Sequence, residues 1–126
     1  MNEREFLPLL IAVLTVSDTR TEADDASGQT LIDRLIAAGH RLAGRVIVPD
    51  DIYRIRAVVS AWIADPAVQI VLITGGTGMT GRDSTPEAIR PLLDKAIDGF
   101  GELFRMLSWE EIGTSTLQSR ALGGLA

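Results

Sequence analysis

Ile70–Val71–Leu72–Ile73–Thr74–Gly75–Gly76–Thr77–Gly78, with Arg82–Asp83–Ser84–Thr85–Pro86–Glu87 close behind, is the stretch that decides the fold. An apolar run without polar alternation reads as a strand buried on both faces. The glycines after it read as a turn, and Thr85–Pro86 as the cap and first residue of a helix. In that order, the backbone of the turn can approach a ligand closely and the N–H groups of the helix start face an anion.

Working outward, Leu9–Val16 has the same unbroken apolar character. Arg41–Val48 alternates, with Leu42, Ala43, Val46 and Val48 as inward candidates, and reads as a strand nearer a sheet edge. Between them Leu31, Leu35 and Ile36 fall at helical spacing, with Asp25 or Ser27 as N-cap and Gly39 as the stop. Ile52, Ile55, Val59, Trp62 and Ile63 mark a second amphipathic helix, closed by Asp65–Pro66 and capped by one of Asp50 and Asp51.

Val68–Thr74 is the third strand. The helix begun at Thr85–Pro86 must be short or kinked, because Pro91 removes a backbone bond and crowds residue 87. Asp98–Gly99–Phe100–Gly101 reads as a break before a helix over Glu102–Ile112, and Thr114–Leu122 fits no period. This alternation predicts an α/β fold: a three-layer sandwich with a mostly parallel sheet flanked by helices. Ligands of such folds bind beyond the carboxyl ends of the strands.

The chain has 126 residues, of which 46% are hydrophobic, so a single domain over residues 1–126 is expected. It has no cysteine, which excludes disulfides, thiolate metal sites and a cysteine nucleophile. A net charge of −5 with scattered basic residues opposes a nucleic-acid partner and favours a small molecule. Phe6–Val16 is too short to cross a bilayer and lacks the flanks of a signal peptide, so no membrane partner and a cytoplasmic protein are expected.

Three strand-end loops carry the candidate chemistry: Ser17–Asp18–Thr19–Arg20, Pro49–Asp50–Asp51, and Thr74–Asp83. Each brings a carboxylate. Asp18, Asp50 and Asp83 around a phosphate-bearing ligand would repel it unless a Mg²⁺ ion took carboxylate and phosphate oxygens together. The bland readings stand beside this one. Gly75–Gly78 also reads as a tight turn, the pattern of Ser17 and Asp18 favours a Ser or Asx turn, and either Asp50 or Asp51 reads as a helix cap. The Gly75–Gly78 turn matches neither the P-loop nor the dinucleotide fingerprint. His40, after a helix-ending glycine, reads as structural, and Ser119 has no histidine with which to build a hydrolase triad.

At these residues the chain resembles the MoaB/MogA family of molybdenum-cofactor biosynthesis proteins. The resemblance rests on Leu14–Thr19, Asp25–Gly28, Val48–Asp50, Ile73–Gly78, Arg82–Glu87 and Ser119–Arg120, and covers nearly the whole chain. Gly101–Met106 and Glu111–Thr116 are closer to the MoaB branch. It implies a molybdopterin-binding domain that adenylylates molybdopterin with Mg²⁺ and ATP, the pterin phosphate attacking the α-phosphorus of ATP and pyrophosphate leaving; a non-catalytic pterin carrier is the alternative. By matching positions, Asp50 and Asp83 would be catalytic and hold the metal. Gly75, Gly76, Thr77 and Gly78 would cradle phosphate or pterin, with Ser17, Asp18, Thr85, Glu87 and Ser119 lining the pocket. The resemblance further implies a homotrimer or homohexamer. It also implies an additional strand and a terminal helix that this sequence, running to Ala126, does not carry.

Overall fold

The computed structural model describes residues 5–78, 83–112 and 120–126. Its centre is β1 (Leu10–Val16), paired in parallel with β2 (Arg41–Val48) on one side and β3 (Ile70–Thr74) on the other. Val16 lies opposite Val48 and Thr15 opposite Thr74, so all three strands end at one edge of the sheet.

Side chains alternate along a strand, and β1 therefore feeds two cores. Ile11 and Val13 meet Ile32 and Leu35 of α1 (Ala26–Ala37) on one face. Leu14 and Val16 meet Val48 of β2, Ile55 and Val59 of α2 (Ile52–Ala64), and Ala88 and Ile89 of α3 (Thr85–Ile89), on the other. Burial on both faces explains why this strand shows no polar alternation. The layers are helix, parallel sheet, helix, as the alternation of elements predicts.

β2 is an outer strand of this sheet, as expected, but Leu42 and Ala43 are exposed rather than inward. The register slips between Ile11 and Ala12, which lie opposite Leu42 and Gly44, so Ala43 is an extra residue and the inward alternation is kept only toward Val46 and Val48. The third strand begins at Ile70 rather than Val68.

The caps follow the sequence in two helices and depart from it in a third. Asp25 caps α1, its Oδ1 accepting from the Gly28 N–H at 3.0 Å, and Asp51 caps α2, accepting from the N–H groups of Tyr53 and Arg54. Ser84, not Thr85, occupies the cap position of α3. Thr85 is the first helical residue because its hydroxyl is drawn to the turn before it, donating to the Gly75 carbonyl at 2.7 Å. As Pro91 requires, α3 is short and passes into a 3₁₀ turn over Arg90–Leu92.

The helix expected from Glu102 instead starts at Asp98, giving α4 (Asp98–Ile112). Asp98 puts a favourable negative charge in the first turn. Gly101 is buried where a side chain would come within 2.5 Å of the Ala121 carbonyl, so the glycine there serves packing and not a break. A second small sheet, which no sequence period marks, pairs β4 (Lys95–Ala96) antiparallel with β5 (Gly124–Leu125). Among the described residues no helix is long and apolar enough to cross a membrane.

Candidate functional site

Because the strands are parallel and end together, the loops after β1, β2 and β3 converge, and two carboxylates tie them. Asp18, after β1, accepts the Asp50 backbone N–H on Oδ1 at 3.0 Å. Asp50, after β2, accepts the Ser84 N–H on Oδ1 at 2.9 Å, beside the start of α3. Asp50 is buried, with only 8% of its surface exposed. With Asp51 serving as the cap of α2, Asp50 is the aspartate left to face the other loops.

The glycine turn packs between the end of β1 and the start of α3. Gly75 and Gly76 have φ of +96° and +68°, a region that side-chain-bearing residues rarely occupy. A Cβ on Gly75 would overlap the Val16 carbonyl, and one on Gly76 would overlap Thr85 Oγ1 and lie 3.1 Å from Asp50 Oδ2. The first demand on these glycines is therefore the protein's own close packing. That packing brings the turn, the Asp50 carboxylate and the start of α3 into one place.

Asp83 lies beside the end of the turn, its Oδ2 2.7 Å from where a Cβ on Gly78 would stand. Thr77 and Gly78 turn their carbonyls toward Arg120, whose N–H and Nε donate to them at 3.0 and 2.6 Å. The same guanidinium donates to the Asp83 carbonyl and pairs with the Glu87 carboxylate. The bond from Arg120 holds the Glu87 carboxyl below its ordinary pKa, against a smaller opposing effect of burial. Ser119, the remaining sequence candidate, lies outside the described residues.

A pocket of about 160 Å³ opens on the α1 side of the same sheet edge, lined by Ser17, Arg20, Ala26, Ser27, Thr74 and Gly75 among others. Ser17 forms the turn at its mouth, Oγ accepting the N–H groups of Thr19 and Arg20 at 3.3 and 3.1 Å. Beneath the pocket Asp25 is 3% exposed and receives Thr15 Oγ1 at 2.7 Å and Arg45 Nη2 at 3.3 Å as well as the Gly28 N–H. Burial alone would raise the Asp25 carboxyl, but these donors outweigh it and hold the pKa below its ordinary value. A Cβ on Gly28 would overlap Asp25 Oδ2 and stand 2.6 Å from Thr15 Oγ1, so the Asp25–Gly28 segment closes onto β1.

The structure thus brings together Asp18, Asp50, Thr85 and the Gly75–Gly78 turn, with Asp83 and Glu87 joined to the turn through Arg120. Ser17 faces the neighbouring pocket. Among the described residues no group of three or more acidic or imidazole side chains is placed to hold a metal ion between them. His40 is structural: its Nδ1 accepts the Leu9 N–H at 3.0 Å and its ring leans on Phe6 at 5.2 Å. Arg120 and Thr15 lie inside the motif pieces Ser119–Arg120 and Leu14–Thr19 but carry no assigned role in the sequence, and Arg45 lies outside every motif.

The family described as "Probable molybdopterin binding domain" matches residues 12–125, which takes in every one of these loops. The chain belongs to this family. Within it, the chain is 60% identical over 122 residues to molybdenum cofactor biosynthesis protein B of Escherichia coli strain K12, spanning 97% of this chain and 72% of the relative. A crystal structure of a molybdenum cofactor biosynthesis protein B superposes with a TM-score of 0.91 at 48% identity, covering 96% of this chain and 76% of that one. The tungsten cofactor synthesizing protein MoaB from Pyrococcus furiosus superposes with a TM-score of 0.80 at 38% identity, covering 93% and 72%. The MoaB/MogA resemblance read from the sequence and the sandwich fold both stand.

Proposed function

We propose that this protein binds molybdopterin and adenylylates it with ATP and Mg²⁺, as a step in molybdenum cofactor biosynthesis. The observation that carries the reading is the Asp18–Asp50–Ser84 tie, which gathers three strand-end loops beside the glycine turn. The relatives named for molybdenum cofactor biosynthesis support the same pathway for this chain.

The donor set suits a hard cation. The chain has no thiolate, and its one histidine is committed to the Leu9 backbone. Magnesium needs only one or two protein carboxylates when substrate phosphates and water complete its shell, so Asp50 and Asp83 are sufficient as its holders. When bound, Mg²⁺ neutralises charge on the phosphate groups in transfer. The residues of the chain align. Gly75–Gly78 and Thr85 shape the cradle for phosphate or pterin, Asp18 bounds it on the β1 side, Ser17 lines the adjoining pocket beside Gly75, and Glu87 stands in the first turn of α3; the resemblance adds Ser119. Phosphoryl-group chemistry of this kind needs two anions held in line and no side-chain nucleophile.

Exposed apolar side chains on α4, Phe100, Leu103, Phe104, Met106 and Leu107, support assembly of the protein as a homo-oligomer; the family resemblance makes that a trimer or hexamer. Sedimentation equilibrium reads that state directly.

The deciding experiment is a turnover assay with molybdopterin, ATP and Mg²⁺. The expected result is adenylylated pterin and pyrophosphate, with Asp50→Ala and Asp83→Ala each lowering the rate by roughly 10²- to 10³-fold. Pterin binding with no adenylylated product would establish a carrier instead. That second reading draws on the use of Asp18 and Asp50 as acceptors for backbone N–H groups, a holding role.

A further inference from the structure

We infer that Arg120 is a positioning residue that sets the place of Asp83 against the glycine turn, an inference that rests on the functional reading above. One residue from the C-terminal segment spans both flanks of the loop between Gly78 and Asp83. Its N–H donates to the Thr77 carbonyl at 3.0 Å and its Nε to the Gly78 carbonyl at 2.6 Å. Its Nη2 donates to the Asp83 carbonyl and its Nη1 to the Glu87 carboxylate in the first turn of α3. The side chain is 23% exposed, so most of the fork is turned into the protein.

The chemistry selects arginine. Three acceptors, one for each guanidinium nitrogen, suit the fixed fork of an arginine, whereas a lysine ammonium is a point charge on a flexible stem. The clasp also acts at the right place. Gly78 and Asp83 lie against each other, with Asp83 Oδ2 2.7 Å from the Cβ position of Gly78, so a cation bonded to both carbonyls fixes the distance between the turn and the carboxylate. Glu87 then anchors the guanidinium from α3. Loss of the clasp leaves every candidate catalytic group present and lets Asp83 drift relative to the phosphate cradle. Displacements of about 1 Å in such a site cost on the order of 10²-fold in rate.

The test is a double-substitution cycle on the intact chain, with molybdopterin, ATP and Mg²⁺ as reactants. Arg120→Ala is expected to lower kcat by roughly 10²-fold with a smaller change in KM, and to cost under about 3-fold further when added to Asp83→Ala. Arg120→Lys, the gentler change for the fold, is expected to recover less than about a tenth of the lost rate, since charge without the fork does not rebuild the clasp. Arg56→Ala is the control. Arg56 donates to the Glu87 and Ala88 carbonyls of α3 at 2.9 and 3.0 Å, so its loss perturbs the same helix without touching the turn. It should leave kcat within about 3-fold.

Equal losses for Arg120→Ala and Arg56→Ala, losses that multiply in the Arg120→Ala/Asp83→Ala pair, or full rescue by lysine would overturn the inference. A wild-type chain that makes no adenylylated product overturns adenylyl transfer and not the clasp. The same variants are then scored on molybdopterin affinity, where a loss of about tenfold or more for Arg120→Ala, absent in Arg56→Ala, upholds it and unchanged affinity sinks it.

Discussion

The Asp50 carboxylate accepts the backbone N–H of Ser84 at 2.9 Å, across 34 residues of sequence, and so joins the end of one strand loop to the helix that follows another. A residue read from sequence as a metal ligand is at the same time part of the frame that holds the loops together.

These two roles separate by substitution. Asp50→Asn keeps an oxygen acceptor for Ser84 and removes the charge, whereas Asp50→Ala removes both. Thermal unfolding should show Asp50→Asn within about 1 kcal/mol of wild type and Asp50→Ala less stable by about 1–2 kcal/mol, the cost of leaving the half-buried Ser84 donor without its acceptor. Both should lose Mg²⁺-dependent turnover. Asp50→Asn with wild-type rates would assign Asp50 to architecture alone.

Gly76→Ala is expected to destabilise by about 2–4 kcal/mol, combining left-handed strain with overpacking against Thr85. The φ of +68° and the overlap of a Cβ with Thr85 Oγ1 are the cause. Denaturant titration measures it, and a change under about 0.5 kcal/mol would show that the turn does not need its glycine.

Gly28→Ala runs against helix propensity. In an ordinary helix interior the change stabilises by about 0.5–1 kcal/mol. Here the added carbon would meet Asp25 Oδ2 and Thr15 Oγ1, so chemical denaturation should report a loss. The substituted α1 start should also lose the N-cap bond from the Gly28 N–H to Asp25, seen as faster amide exchange there.

Asp25 gives the acid limb of stability. Its folded pKa lies below the ordinary value of 3.8, so it contributes fully above that value, and the contribution disappears as pH falls through the lowered pKa. At pH 7 Asp25→Ala should cost about 2–3 kcal/mol, from loss of a cap and of a mostly buried partner for Arg45. The gap between wild type and variant should narrow in urea titrations below pH 3.8. A gap that stays constant from pH 7 to pH 2 would contradict the assigned ionisation.

Local signals in the sequence were strong where one residue type answers one physical need. An unbroken apolar run marked the buried strand β1, while the equally apolar β3, an outer strand of the described sheet, is only half-buried; the Asp25/Ser27 and Asp50/Asp51 pairs marked helix starts, and Pro91 marked the end of α3. They failed where a distant contact outweighed them. Thr85 was drawn out of the cap by the Gly75 carbonyl, Gly101 was accommodated inside α4 by Ala121, and Ala43 was pushed outward by a slip of register.

By itself, then, the sequence determined the order of β1 to β3 and the helices between and after them, the strand edge at which the loops gather, and the family, because periodicity, turn chemistry and motif spacing are local. Only the tertiary structure decided that Asp50 holds Ser84, that the glycines yield space to Val16 and Thr85, and that Arg120 joins the Gly78 carbonyl to that of Asp83. Those bonds join residues tens of positions apart, and no pattern along the chain encodes which carbonyl a guanidinium will meet once the strands are side by side.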